Sequence, residues 1–243
     1  PDVARSLEVV RGAVRGGADV IELGVPFSDP IADGPTIQRA SERALLAGGS
    51  LARSLAQVRS LREDVSVPIV LFTYVNPVLR MGLPAFVEAA AEAGVDGVLM
   101  LDLPIEESAA MRAALDGRGL DQIFLISPTT SPERLALAGR LGRGFLYGIT
   151  RLGVTGTRTD VAATAAPLAR RMREASSLPI ALGFGISRPE HVAEITSFAD
   201  AAVVGSAIVD VVARASQGGE DVGRAVEGFV RWLKTPPDER AER

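Results

Sequence analysis

The feature that most restricts this chain is a regular alternation of short apolar runs with segments of helical period. The runs are residues 20–25, 69–74, 97–101, 123–126, 145–149, 180–183 and 202–205. They are rich in Leu or β-branched residues and bounded by Gly, Pro or Asp, as strands buried on both faces are. Between them the spacing predicts helices. Val3, Leu7, Val10 and Val14 recur on one face until Gly16-Gly17 stops the helix. Pro84 opens a helix over 85–93 that Gly94 ends. Ser131-Pro132-Glu133 and Ser187-Arg188-Pro189-Glu190 predict helix N-caps with Pro near the first helical position.

Such β-α alternation over 243 residues implies a parallel sheet with right-handed crossovers. A closed (β/α)8 TIM barrel is the first expectation and a doubly wound open sheet the second. Seven strand segments are legible where a barrel needs eight, and Pro1-Asp2 leads directly into a helix. The expectation is therefore a barrel whose first strand is absent from this chain. Residues 1–234 read as one barrel domain and 235–243 as a polar, frayed tail. Gly17-Ala18-Asp19-Val20, Gly94-Val95-Asp96-Gly97 and Ala199-Asp200-Ala201-Ala202 repeat one grammar of helix stop, Asp and strand. These aspartates fall at the strand N-terminal face, which serves stability in barrels, so they read as structural.

Scarcity narrows the chemistry. The chain has no Cys, one His (His191) and one Lys (Lys234). Disulfides, thiol chemistry and His-rich zinc sites are excluded. No Gly-Lys-Ser/Thr run exists for a P-loop. A Schiff-base lysine would have to be Lys234, in a terminal helix. Net charge is −4 without a basic block, which points away from nucleic acid and anionic membranes. The uncharged stretch 65–79 is too short and too proline-broken to span a bilayer. With no legible targeting segment, the expected location is cytoplasmic. Proton transfer must fall mainly to carboxylates, with Tyr74 or Tyr147 as helpers.

Glu22 sits inside the first apolar run. Period-2 alternation turns Ile21, Leu23 and Val25 toward the helices and Val20, Glu22 and Gly24 toward the barrel interior. A carboxylate there is either salt-bridged to an Arg of another strand or kept for acid/base work; position favours work. Asp33 lies in the following proline-rich loop, at the strand's C-terminal end, either as a turn former or as a chemical group. Gly183-Phe184-Gly185-Ile186-Ser187 and Val204-Gly205-Ser206-Ala207 follow the last two strand segments and open helices, the arrangement of a barrel phosphate cradle. The loop 150–157 combines glycines, hydroxyls and Arg151, which suits either a closing lid or a solvated loop. His191 reads as a surface helix residue and Trp232 as packing. Asp102, at a strand end, touches either substrate or a neighbouring loop.

One stretch is far more specific. Glu22-Leu23-Gly24-Val25-Pro26-Phe27-Ser28-Asp29-Pro30-Ile31-Ala32-Asp33-Gly34-Pro35-Thr36-Ile37-Gln38 resembles the signature of the tryptophan synthase α-subunit family. Tyr74-Val75-Asn76-Pro77, Asp102-Leu103-Pro104-Ile105-Glu106-Glu107, Arg151-Leu152-Gly153-Val154-Thr155-Gly156, Gly183-Phe184-Gly185-Ile186 and Gly205-Ser206-Ala207-Ile208-Val209 follow in the family's order. The resemblance runs from Pro1 to about Lys234. It implies a (β/α)8 lyase that splits indole-3-glycerol phosphate into indole and glyceraldehyde 3-phosphate by retro-aldol cleavage. It implies Glu22 as general acid/base and Asp33 as the partner of the indole N–H. Phe72 and Leu99 would line the indole pocket, and Tyr147 and Thr155 would shape the site. Gly156, Gly185, Gly205 and Ser206 would hold the phosphate. No metal, Schiff base or cofactor is implied for this chain; pyridoxal phosphate belongs to a β subunit that completes an α2β2 heterotetramer. The family's N-terminal helix, first strand and a pocket-lining aromatic precede the position of Pro1, and their absence would leave open sheet edges. An allosteric binding subunit with little lyase activity and a stand-alone indole-releasing lyase are the alternatives. A barrel from another phosphate-handling biosynthesis is opposed by the loop 26–38.

Overall fold

Each of the seven apolar runs forms a strand, and each strand leads into at least one helix. The computed structural model describes residues 2–149, 161–183 and 185–235. Two compact units emerge, one drawn from residues up to 122 together with 209–230, the other from residues 123–208 together with those from 231 onward. In chain order the first elements are α1 (Val3–Arg15), β1 (Ile21–Gly24), α2 (Pro35–Leu46), α3 (Leu51–Leu61), β2 (Ile69–Thr73), α4 (Val75–Met81), α5 (Leu83–Ala93), β3 (Gly97–Met100), a 3₁₀ turn (Ile105–Glu107) and α6 (Ala109–Asp116). Then come β4 (Asp121–Ile126), α7 (Pro132–Leu141), β5 (Leu146–Ile149), α8 (Val161–Ala175), β6 (Ile180–Gly183), α9 (Pro189–Thr196), β7 (Ala201–Val203), α10 (Ser206–Gly218) and α11 (Val222–Lys234). Among the described residues no helix is long and apolar enough to cross a membrane.

In the first unit β1, β2 and β3 pair in parallel, with Ile21 beside Ile69 and Leu71 beside Val98. Ile69, Leu71 and Val98 are wholly buried. Buried residues recur at Leu51, Leu55, Val58 and Leu61 on α3 and at Phe86, Ala90 and Ala93 on α5, the spacing of one helix face. These two helices pack together. Each such Leu, Val or Phe side chain contributes about 1.5–3 kcal/mol relative to exposure. Val3 departs from the expected stripe: it is exposed, and the buried positions of α1 begin at Val10. In the second unit β4 to β7 pair in parallel in chain order.

Two of the three repeated strand-start aspartates, Asp96 and Asp200, take the expected structural role. Asp96 Oδ2 accepts the Ile69 N–H at 2.7 Å and pairs with Arg62. Asp200 Oδ2 accepts the Ile180 N–H at 2.7 Å and pairs with Arg173 at 2.9 Å. In each case a carboxylate satisfies the first N–H of a neighbouring strand. The Ile180 N–H, and then Arg173, hold the Asp200 carboxyl below its ordinary value. Its contribution is therefore complete above the ordinary carboxylate range and lost as pH falls through the lowered value. Asp200→Ala is expected to cost about 1–2 kcal/mol at neutral pH, a modest figure because the pair is partly solvated. Urea unfolding at neutral and strongly acid pH checks this: the gap between parent and variant should close in acid. A gap that persists there would show that the carboxylate charge is not the cause.

One expected cap moves. Ser131 caps α7 by accepting the Arg134 N–H at 3.4 Å, but the N-cap of α9 is Arg188, not Ser187. Pro189 occupies the first helical position and favours an extended residue immediately before it, which is Arg188. Ser187 instead donates its N–H to His191 Nδ1 at 3.4 Å, and Arg188 Nη2 lies 3.2 Å from His191 Nε2. His191 thus tidies the entry to α9.

Candidate active site

Strand register gathers the first group of site residues. Glu22 lies beside Val70 and Val70 beside Gly97; Gly24 lies beside Phe72 and Phe72 beside Leu99. In a parallel sheet these neighbours share a face, so Glu22, Phe72 and Leu99 project to the same side. Leu99 is wholly buried and Phe72 partly so. Gly97 and Gly24 add no side chain to that face. A carboxylate is thereby set against an apolar, aromatic-lined surface.

Glu22 Oε1 is sealed from solvent and meets no hydrogen-bond partner among the described residues. Among the described residues no Arg salt bridge of the kind considered from sequence balances it. Burial alone pushes the carboxyl from 4.5 to about 7. A group half-protonated near neutrality can both give and take a proton, the condition for acid/base catalysis at that pH. An unbalanced buried carboxylate is costly to keep, which favours a working role over a structural one.

Asp33 sits in the loop between β1 and α2. Its N–H bonds Pro30 O at 3.0 Å, closing a turn, and its carbonyl accepts Gln38 Nε2 at 2.8 Å. The turn-former reading is therefore right for its backbone, while its side chain has a separate task. Tyr74 Oη donates to Asp33 Oδ2 at 2.9 Å and accepts the Ala32 N–H at 3.0 Å. Burial pushes the Asp33 carboxyl up, and the Tyr74 hydroxyl pulls it back. Sequence reasoning placed Tyr74 only as a possible proton-transfer helper. Its position just past β2, in step with Phe72, was the available signal. Asp102 meets the start of α4: its Oδ1 accepts the Val75 N–H at 2.7 Å.

The second unit carries candidate residues of its own. Tyr147 on β5 is buried and shares a face with Gly183 of β6, two registers along. A Cβ on Gly183 would come within 2.8 Å of Tyr147 Cε2 and 3.0 Å of its Cζ. The missing side chain is what gives the phenol ring its place. Beyond β6, Gly185 adopts φ +69°, a left-handed conformation that L side chains rarely take. Beyond β7, Gly205 accepts the Ile208 N–H at 3.0 Å, and Ser206 begins α10. Gly185, Gly205 and Ser206 are exposed, and a Cβ at Gly205 would meet nothing within 4 Å. Two glycine loops with open approach therefore follow consecutive strands, one at a helix N-terminus that favours an anion. Thr155 and Gly156, with the expected lid and Phe184, lie outside the described residues.

Parallel strands in chain order, a buried carboxyl on the first of them and glycine loops after the last two are the features of an α/β-barrel enzyme. The comparisons with known proteins give that class its family. The sequence model of the tryptophan synthase alpha chain matches residues 1–235. The chain is 51% identical to the tryptophan synthase alpha chain of Solibacter usitatus (strain Ellin6076), covering 93% of this chain and 84% of that one. It is 47% identical to that of Geobacter sulfurreducens, covering 96% and 88%. Among solved structures it resembles tryptophan synthase subunit alpha from Legionella pneumophila str. Paris, with TM-score 0.87, 35% identity and coverage of 94% and 85%. It also resembles a structure of the tryptophan synthase a2b2 complex from Pyrococcus furiosus, with TM-score 0.88, 37% identity and coverage of 96% and 93%. This chain belongs to the tryptophan synthase alpha chain family. Its fold is the α/β TIM barrel of that family, and its reaction is the cleavage of indole-3-glycerol phosphate to indole and glyceraldehyde 3-phosphate in tryptophan biosynthesis.

Proposed function

We propose that Glu22 and Asp33 carry the lyase reaction without a metal, a Schiff base or a cofactor on this chain. The observation that supports this most is the Oε1 of Glu22, sealed from solvent and without a hydrogen-bond partner among the described residues. Protonated Glu22 gives its proton to indole C3, and Asp33 accepts the N–H of the cation that forms. The resulting carboxylate removes the proton of the adjacent glycerol hydroxyl. The carbon–carbon bond then breaks, its electron pair returns to the indole ring, and the freed carbonyl leaves as the aldehyde. The protonated indole is the electron sink, which is why two carboxylates suffice. Phe72 and Leu99 line the indole side, Tyr147 and Thr155 shape the site, and Gly156, Gly185, Gly205 and Ser206 hold the phosphate.

The partner we infer is a pyridoxal-phosphate β subunit in an α2β2 assembly in the cytoplasm. The Pyrococcus furiosus a2b2 complex is a solved example of such an assembly. The presence of both Glu22 and Asp33 opposes a purely allosteric role. Indole release from indole-3-glycerol phosphate, with and without the β subunit, tests the reading. Asp33→Asn is expected to lower kcat/KM about 10²- to 10³-fold with the fold intact, as loss of a charged acceptor in a sheltered site does. Turnover by Asp33→Asn at the parent rate would remove Asp33 from the mechanism.

A further inference from the structure

We propose that Tyr74 is a positioning residue that fixes the Asp33 carboxylate for its acceptor role and keeps one of its oxygens free for the substrate N–H. This rests on the role given to Asp33 above. The geometry is directional. A phenol has one proton to donate. The Ala32 N–H, at 3.0 Å, is a donor and can only be accepted by the Tyr74 oxygen, so the phenol proton is left for Asp33 Oδ2 at 2.9 Å. One hydroxyl thus reads two consecutive residues of the loop and holds backbone and carboxylate in a single arrangement. Oδ2 is occupied by that proton, and Oδ1 remains to accept from substrate.

The hydroxyl is itself held firmly. Tyr74 is buried at 2% exposure and packs against Phe27 with ring centroids 5.1 Å apart. Its backbone is extended as the N-cap of α4. The next N–H, of Val75, is tied to Asp102 Oδ1 at 2.7 Å. The phenol is therefore placed by a strand end, an aromatic contact and a carboxylate on the β3 side. The charged groups near it are Asp33 and Asp102, with Asp29 and Glu107 along the same groove. All are acidic, so among the described residues no basic side chain lining that groove offsets a charge on Asp33. Burial, and then Asp33 itself, raise the Tyr74 hydroxyl well above the ordinary phenol range, so it stays a donor at every working pH.

The test uses the full chain with its β subunit and measures indole release across pH. Tyr74→Phe keeps the ring and removes the hydroxyl. The expected result is a fall in kcat/KM of about tenfold or more, the effect of losing a hydrogen bond to a charged group. The acid limb of the profile should move to higher pH, because Asp33 loses the donor that favours its ionised form. A purely structural role would lower the unfolding midpoint without moving that limb. Site-specific 3-fluorotyrosine at position 74 strengthens the donor and should move the limb the other way, an independent readout should the Phe variant fold poorly. If Asp33→Asn abolishes turnover but neither change at Tyr74 shifts the acid limb, the Tyr74 inference is wrong and the Asp33 role stands. If Asp33→Asn is fully active, both fail.

Discussion

Glu22→Gln is expected to abolish indole release while leaving the chain more stable than the parent above neutral pH. The chemical loss follows from the proton: an amide can neither donate it to indole C3 nor take one back. Removing a general acid/base lowers kcat by about 10²- to 10⁴-fold, and in the proposed mechanism a single group serves both steps, so the upper end is expected. The stability gain follows from burial. The Glu22 carboxyl rises from 4.5 to about 7 because its surroundings disfavour the charged form. A carboxyl raised in the folded state stabilises the fold fully below about 4.5, and that contribution is lost as pH climbs through 7. The span corresponds to about 3 kcal/mol between the protonated and ionised limits. Gln is neutral throughout, but its amide must still find a partner among apolar neighbours, which reduces the gain to about 1–2 kcal/mol at pH 8. Urea unfolding of both proteins from pH 4 to 9 checks this: parent stability should decline relative to the variant across that range. A parent and variant with parallel curves would mean that Glu22 titrates normally and that burial does not prepare it for catalysis.

That opposition between stability and activity also explains what the amino-acid pattern made visible. The seven strands among the described residues were legible because strands buried on both faces appear as unbroken apolar runs, and Glu22 stood out as the charge interrupting one of them. The glycine loops at Gly185 and Gly205 were legible as loops from their places after the last two strands. The Asp33–Tyr74 bond was not, because its partners are 41 residues apart and meet only through pairing of β1 with β2. Asp102 likewise depended on where β3 set it beside the start of α4. The cap of α9 was misplaced by one residue because Ser187 and Arg188 both precede Pro189, and a side chain's cap preference yielded to where the proline starts the helix.

Gly183→Val is expected to damage catalysis through Tyr147 rather than through the fold as a whole. Gly183 and Gly148 lie on neighbouring strands but face opposite ways. A Cβ at Gly148 would press on Leu182 and come within 2.9 Å of Met172 Sδ, on the side where α8 packs. A Cβ at Gly183 would press instead on the Tyr147 ring. A ring cannot bend aside as a methylene chain can, so the phenol must leave its position. Displacement of a substrate-shaping group by about 1 Å costs about 100-fold in rate, whereas overpacking a core costs about 1–3 kcal/mol of stability. The two glycines therefore separate the two effects. Gly148→Ala should lower the unfolding free energy while the folded protein keeps kcat/KM near the parent value. Gly183→Val should lower kcat/KM about 100-fold with a smaller change in unfolding free energy. Steady-state kinetics beside denaturant titrations decide it. A Gly183→Val enzyme with parental kcat/KM would show that Tyr147 has no part in shaping the site, and the indole pocket would then have to be built without it.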